Sequence, residues 1–334
     1  MSITAKELAE KLGLSPAAVS MALNNKPGVS TKTRQKVLDA AIRYGYDLTK
    51  ISSKKKGGSI YFLVYKKYGT IVQDTAFFSE LFEGVGEGCR KRGYRLNIRY
   101  IYDSDDTLNE QIEEIQYSDC CGVILLGTEM AADRYPCFRA LRCPIVILDT
   151  CFENIAADYV LINNRQGAFL ATDYLIQRTK KQPGHLKSAY MIENFRERSE
   201  GFYDAVRAGG FSASRSIVHS LSPSAEGAFS DMMEILESGE ETASCYFADN
   251  DQIAVGALKA FLARGFRVPE DVSIAGFDNI SYVGLVEPGL TTIHVPKKEM
   301  GETAAHRLAD ILERGEDIPM KIEIATRLIK RKSA

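Results

Sequence analysis

Across 334 residues there is no tryptophan, histidine occurs only four times, and the formal net charge is −2. No apolar run approaches the roughly 20 residues needed to cross a bilayer, and no apolar signal segment is expected at the start. The four histidines lie far apart in sequence, and Cys120-Cys121 has no partners at zinc-ligand spacing, so no metal and no other cofactor is expected. Cys89, Cys120, Cys121, Cys137, Cys143, Cys151 and Cys245 are an odd number without a framework spacing. Most fall in apolar stretches and read as buried thiols of a reducing cytoplasm. A Walker motif, a nucleophile elbow and a paired His/Glu metal motif are all missing. Gly84-Val85-Gly86-Glu87-Gly88 looks like a nucleotide loop, but it lies inside a helical pattern (Leu81, Phe82, Val85, Cys89) and follows no strand directly. Its glycines are expected to let helices approach closely. None of this supports an enzyme.

What is present begins at the N-terminus. Ile3–Lys11, Gly13–Asn24 and Val29–Tyr46 read as three short, closely spaced helices, the outline of a DNA-binding helix-turn-helix. Thr4 caps the first helix with Glu7 three residues on, a capping box. Gly13 supplies the turn, Ser15 caps the second helix, and Pro16 takes its first position, where a missing N–H costs nothing. Ser30 caps the third helix, whose buried stripe is expected at Val37, Ala40, Ala41 and Tyr44. Up to Gly57 the chain holds eleven basic residues against four acidic ones, +7, so the remainder carries −9. A basic head on an acidic body suits binding to a phosphate backbone.

Leu48–Gly58 is polar, lysine-rich and ends in Gly57-Gly58, a domain boundary. Beyond it, apolar β-rich runs alternate with helical patterns. The expected strands are Ile60–Tyr65, Leu96–Tyr100, Val123–Leu126, Ile145–Leu148 and Val160–Ile162, then Ala189–Ile192, Cys245–Phe247 and Val272–Phe277. The expected helices are Phe78–Arg92, Leu108–Tyr117, Gln166–Arg178, Gly227–Leu236 and Ile253–Arg264. Continuous apolar strands between amphipathic helices imply parallel sheets covered on both faces. The fold class is therefore α/β for the body: two doubly wound lobes with a cleft between them, behind a three-helix head. In such sheets ligands bind beyond the strand C-termini. Polar residues stand there: Thr128, Asp149 and Asn163 in the first lobe, Asp249-Asn250-Asp251 and Asp278-Asn279 in the second. Some of them are expected only to cap the helix that follows.

The head motif Val19-Ser20, Leu23-Asn24, Val29-Ser30, Thr33-Arg34, Val37 and Tyr44-Gly45-Tyr46 resembles the N-terminal signature of the lactose-repressor (LacI/GalR) family of bacterial transcription regulators. The resemblance continues through Gly184-His185, Ala248-Asp249-Asn250-Asp251, Gly276-Phe277-Asp278-Asn279 and Leu290-Thr291-Thr292-Ile293. It implies a head over 1–46, a hinge over 47–58 and an effector-binding and dimerisation body of periplasmic-binding-protein type over 59–334. The first lobe is expected at about 59–161 and 291–322, the second at about 162–290 and 323–334. The partners implied are operator DNA, a small-molecule effector (carbohydrate by family default) and a second copy of the chain; no membrane is involved. The apolar face around Phe78–Cys89 is either the dimer contact or core. The C-terminus stops without a heptad extension, so a coiled-coil tetramer is not expected.

Carried onto this chain, the resemblance places effector binding at Phe77, Phe78, Thr128, Asp149, Asn194, Arg198, Asn250 and Asp278. Arg198 and Asp278 together can clamp hydroxyls or a heterocycle. DNA contacts fall to Thr4, Ser15, Pro16, Ala17, Ser20, Met21, Asn24, Ser30, Thr33, Tyr46, Ile51, Lys54 and Lys55. The chain departs from the family at three places. The aromatic that stacks on ligand is replaced by Leu221-Ser222-Pro223. Pro16, Ala17 and Met21 stand where base-reading side chains are common, so half-sites are expected to be read partly through A·T content. A lysine stands where a minor-groove leucine wedge is usual, which implies weaker operator bending.

Overall fold

The computed structural model describes residues 3–23, 28–46, 58–69, 71–72, 76–104, 107–315 and 318–334. Residues 47–57 of the hinge expected over 47–58, with Ile51, Lys54 and Lys55, and the DNA candidate Asn24 lie outside the described residues.

The head is three helices: α1 (Ala5–Leu12), α2 (Pro16–Leu23) and α3 (Thr31–Arg43). Each start is specified by local chemistry. The Thr4 side chain accepts from Glu7 N–H, while Thr4 N–H donates to the Glu7 carboxylate at 2.7 Å. Ser15 Oγ accepts from Ala18 N–H at 3.1 Å, and Ser30 Oγ from Thr33 N–H at 3.2 Å. Gly13 ends α1 at φ 64°, a left-handed conformation that glycine adopts without penalty. Leu8, Val19, Leu23, Val37, Ala40 and Ala41 form the small core. Tyr44 does not join that stripe. It follows the end of α3, is 41% exposed, and its ring lies under the Lys11 ammonium at 4.8 Å.

The first lobe runs β1 (Ser59–Lys66), α4 (Ala76–Lys91), β2 (Arg95–Tyr102), α5 (Leu108–Gln116), β3 (Cys120–Leu126), β4 (Ile145–Leu148) and β5 (Asp158–Ile162). The second runs α6 (Asn164–Thr179), β6 (Gly184–Ser188), α7 (Glu193–Ala208), β7 (Val218–Leu221), α8 (Ala225–Ser238), β8 (Cys245–Ala248), α9 (Asp251–Ala263), β9 (Ser273–Asp278) and β10 (Thr291–His294). The chain then returns to the first lobe for α10 (Lys297–Arg314) and β11 (Lys321–Ile324), and ends in the second with β12 (Arg327–Ile329). The two sheets have matching orders, β11-β5-β4-β3-β1-β2 and β12-β10-β9-β8-β6-β7. Every pairing is parallel except β10 with β12.

Several sequence expectations are corrected here. Ala189–Ile192 is not a strand. The strand is β6, whose modest apolarity hides a buried His185 bonded to Asp249 at 2.7 Å. Ala189–Ile192 instead turns past the strand end, with Met191 58% exposed. Thr291–His294 belongs to the second sheet, not the first lobe. Its buried hydroxyls and amides are answered there, with Thr292 Oγ1 donating to Asp251 and Thr291 N–H to Ser333 Oγ. Glu323 and Ile324 pair with Leu161 and Ile162 of β5, so they belong to the first sheet.

The apolar face of α4 is core, not a dimer contact. Phe78, Leu81, Val85 and Cys89 are buried inside the chain. Gly84 explains how: a Cβ there would stand 2.0 Å from the carbonyl oxygen of Lys298 on α10. The glycine run serves helix packing. Among the described residues no helix is long and apolar enough to cross a membrane, and no group of three or more His, Cys, Asp or Glu is placed to hold a metal ion.

Candidate functional site

The cleft is made by strand ends and helix starts facing each other from the two sheets. Thr128 follows β3, and Asp149 follows β4 in a left-handed backbone conformation (φ 67°). Opposite them, Asn194 and Arg198 stand one helical turn apart on α7, Asn250 precedes α9, and Asp278 ends β9 at φ 107°. Two aspartates held at positive φ cost backbone strain, which proteins tend to keep at working sites.

A chain of hydrogen bonds ties these groups together. Thr128 Oγ1 donates to Asp149 Oδ2 at 2.6 Å, and Asn194 Nδ2 reaches from the other lobe to Asp149 Oδ1 at 3.0 Å. Arg198 is buried and fully engaged. Its Nε donates to Asn164 Oδ1 at 2.9 Å, its Nη1 to the Asp249 carbonyl at 2.5 Å, and its Nη2 pairs with Asp278 Oδ1 at 3.2 Å. The guanidinium carbon also lies over the Phe277 ring, 3.7 Å from its centre. Burial pushes the Asp149 carboxyl up to about 6, against the pull of Thr128, Arg198 and Asn194. Burial raises Asp278 too, opposed by Arg198 and Lys297.

All eight sequence-expected effector residues line one cavity of about 50 Å³: Phe77, Phe78, Thr128, Asp149, Asn194, Arg198, Asn250 and Asp278. Small-molecule sites run to roughly 300–1,000 Å³. A sugar-sized guest therefore requires the lobes to part from this arrangement. Asn163 stays out of the cavity and caps α6, accepting from Gln166 N–H at 3.0 Å. Asn250 does both, since it lines the cavity and accepts from Ile253 N–H at 2.8 Å. Asp249 and Asp251 are fully buried beneath the surface. Asp251 accepts from Thr292 Oγ1 at 2.5 Å and Ile280 N–H at 2.9 Å, and burial with the nearby Asp278 charge pushes it up to about 8.

The site residues expected from sequence left out Ile71, Ile192, Phe195, Gln252 and Ile280 of the lining. Ile192 and Phe195 flank Asn194 and were within reach of a helical-face argument. Ile71 had no signal of its own. It is placed by Glu129, a buried carboxylate that accepts from five backbone N–H groups, those of Lys67, Tyr68, Gly69, Ile71 and Val72, at 2.6–3.3 Å.

Residues 4–47 match the family model for bacterial regulatory proteins of the lacI family, and residues 173–334 match that for a periplasmic binding protein-like domain. The chain therefore carries a lacI-family regulatory head joined to a periplasmic-binding-protein-like body. It is similar to the HTH-type transcriptional repressor PurR of Mannheimia succiniciproducens, 28% identical over 99% of this chain and 98% of that one. A LacI family transcriptional regulator from Enterococcus faecium, solved with bound ribose, is 25% identical with a TM-score of 0.71, covering 82% of this chain and 98% of that one. The lac repressor dimer bound to operator and an anti-inducer shares the fold at 22% identity and TM-score 0.71, over 100% of this chain and 99% of that one. With that head and body, this protein is a DNA-binding transcriptional regulator with a ligand-binding body, and not an enzyme.

In this lacI-type head, the first turn of α2 is presented outward: Ser15, Pro16, Ala17 and Ser20 are all exposed. Thr4 and Ser30 are exposed as well, though their hydroxyls already serve as caps. Met21, Thr33 and Tyr46 are half-buried. Met21 packs near Gly28, and Tyr46 N–H donates to the Ala41 carbonyl at 2.8 Å.

Proposed function

We propose that the protein is a homodimeric repressor whose grip on operator DNA is set by an uncharged, polyhydroxylated molecule, a carbohydrate, bound between the lobes. The observation that carries this reading is the charge of the lining. Two carboxylates, Asp149 and Asp278, face a single guanidinium, Arg198. Carboxylates and amides from both lobes suit vicinal hydroxyls, whereas a phosphate would meet net negative charge. Such a ligand shifts DNA affinity only by binding the open and closed arrangements unequally.

A nucleobase is the second reading. The PurR name of the relatives and the three phenylalanines in the lining, Phe77, Phe78 and Phe195, favour it. A thermal-shift screen against neutral sugars, sugar phosphates and nucleobases separates the two. A ligand at about a hundred times its dissociation constant stabilises by roughly 2.7 kcal/mol. A shift with sugar phosphates alone would overturn the charge argument, and a shift with purines alone would select the second reading. Asp278→Ala should abolish the ligand response and leave operator binding intact in a gel-shift assay.

On the DNA side, two heads on two half-sites of a near-palindrome fit the symmetry of a dimer. Ser15, Ser20, Ser30 and Thr33 are assigned to phosphate contacts, and Pro16, Ala17 and Met21 to thymine methyls. The dimer contact is assigned to the outer strand β2, where Ile98, Tyr100 and Tyr102 are 44%, 41% and 57% exposed on one side. An edge strand with such a stripe is the kind of surface a soluble protein covers. A regulator of this kind works in the cytoplasm, at the nucleoid.

A further inference from the structure

Six of the seven cysteines lie in the first lobe, and two of them are side by side. β3 opens with a bulge: Ser59 pairs with Cys120 and Ile60 with Gly122, which leaves Cys121 as the extra residue. Cys121 consequently packs on one face of the sheet with Cys89, while Cys120 packs on the other, against the same apolar cluster as Cys143. The parallel β3–β4 ladder pairs Val123 with Ile145, and Val123 N–H donates to the Pro144 carbonyl at 2.9 Å, so the starts of the two strands run alongside. Cys120 and Cys143 thus lie on the same side of the sheet at the starts of neighbouring strands, with the Cys120 thiol donating to the Gly122 carbonyl at 3.4 Å. Both residues are half-buried, open enough for a small oxidant. Neighbouring strands lie about 4.8 Å apart, within the ~4.4–6.8 Å between Cα atoms that a disulfide bridges.

We infer that Cys120 and Cys143 form a peroxide-oxidisable dithiol that closes to a disulfide between the starts of β3 and β4. The Cys120 thiol is held as a donor to the Gly122 carbonyl, so Cys143 is taken as the attacking sulfur and Cys120 as the resolving one. The Cys143 thiolate attacks a peroxide oxygen, the O–O bond breaks, and a sulfenic acid and water result. Cys120 then displaces the sulfenic oxygen, which leaves as a second water while the S–S bond forms. The two thiols lose two electrons and two protons, and one hydrogen peroxide becomes two waters.

The position gives the pair an output. It lies at the end of the sheet where the body receives the linker from the head. Cys121 Sγ donates to the Ser59 carbonyl at 3.3 Å and sits 2.8 Å from where a Cβ on Gly58 would stand. Ser59 Oγ donates to Asp119 Oδ2 at 2.6 Å, one residue before Cys120. A disulfide here stiffens the strand ends that hold the linker, and it changes operator affinity reversibly.

The test treats the full chain with equimolar hydrogen peroxide, blocks remaining thiols with iodoacetamide and maps the peptides by fragmentation. The expected product is a Cys120–Cys143 linked peptide, two hydrogens lighter, that dithiothreitol returns to two alkylatable thiols. It should vanish in Cys143→Ala and persist in Cys121→Ala and Cys137→Ala. Full alkylation of both cysteines after peroxide, or Cys120 joined to another cysteine, overturns the assignment. Should Cys143→Ala fail to fold, the wild-type map still decides, because the linked peptide is identified without a variant. Operator titrations of oxidised and re-reduced protein check the output, and identical affinities would overturn that part.

Discussion

The two lobes repeat one strand order but hold their polar cleft residues differently. In the second lobe Arg198 is fixed by its own lobe, through Asn164, the Asp249 carbonyl, Asp278 and the Phe277 ring. In the first lobe Asp149 has Thr128 beside it, but its other oxygen takes its proton donor from Asn194 across the cleft. One half of the site is therefore preorganised, and the other is completed only when the lobes meet.

The largest way to break this contrast is Arg198→Ala. Removing one partner of a buried ion pair costs about 3–5 kcal/mol, and urea unfolding should register a loss of that size together with loss of any ligand response. Gly84→Ala and Gly201→Ala test the lobes as equals. A Cβ on Gly84 meets the Lys298 carbonyl oxygen at 2.0 Å and one on Gly201 the Arg165 carbonyl oxygen at 2.2 Å. Each should lower stability by about 1–3 kcal/mol through overpacking; a loss confined to one lobe would show that its helix pair yields more easily.

Asp251→Asn probes the buried base of the second lobe through pH. A carboxyl raised to about 8 binds its proton more tightly in the folded state than in the unfolded one. Wild-type stability from this group is therefore fully present below the ordinary carboxylate value near 4 and declines as pH climbs toward about 8. Thermal midpoints taken from about pH 5 to about pH 8 should fall less steeply in the variant; parallel slopes would mean that Asp251 is already charged in the folded protein. The smallest effect is expected of Asp149→Asn, which keeps one acceptor oxygen and weakens hydrogen bonds worth about 0.5–1.5 kcal/mol each. A loss as large as that of Arg198→Ala would make the first lobe as preorganised as the second.

Much of this was legible before any coordinates, for identifiable reasons. The head was readable because capping is local: Thr4 with Glu7, Ser15 before Pro16, and Ser30 with Thr33 need only neighbours along the chain. The central strands were readable because β1, β3, β4 and β9 are buried on both faces and carry unbroken apolar runs. Three of the four edge strands were not, although the fourth, β2, was read from Leu96–Tyr100. β7, β11 and β12 are short, with Val218, Lys321 and Arg327 exposed. β10 and β6 escaped for the opposite reason, since their buried Thr291, Thr292 and His185 are polar residues satisfied by distant partners. The helices α7 and α10 escaped because their openings, Glu193 onward and Lys297 onward, are charged. The cleft residues came from matching motifs to a family. Spacing alone could not have told Asn163, a plain cap, from Asn250, which caps and also lines the cavity.

The chain passes between the lobes three times, at 162–164, 294–297 and 324–327. Three ligatures side by side leave little freedom to twist or slide, so opening resembles a book turning on its spine. They also make the body tolerant of a single cut. A protease that severs one crossing leaves two covalent ties, and the nicked protein should elute as one particle under native conditions and separate only when denatured. Neither lobe could be expressed as one uninterrupted piece of the gene, since each is sewn from stretches that belong on either side of the other.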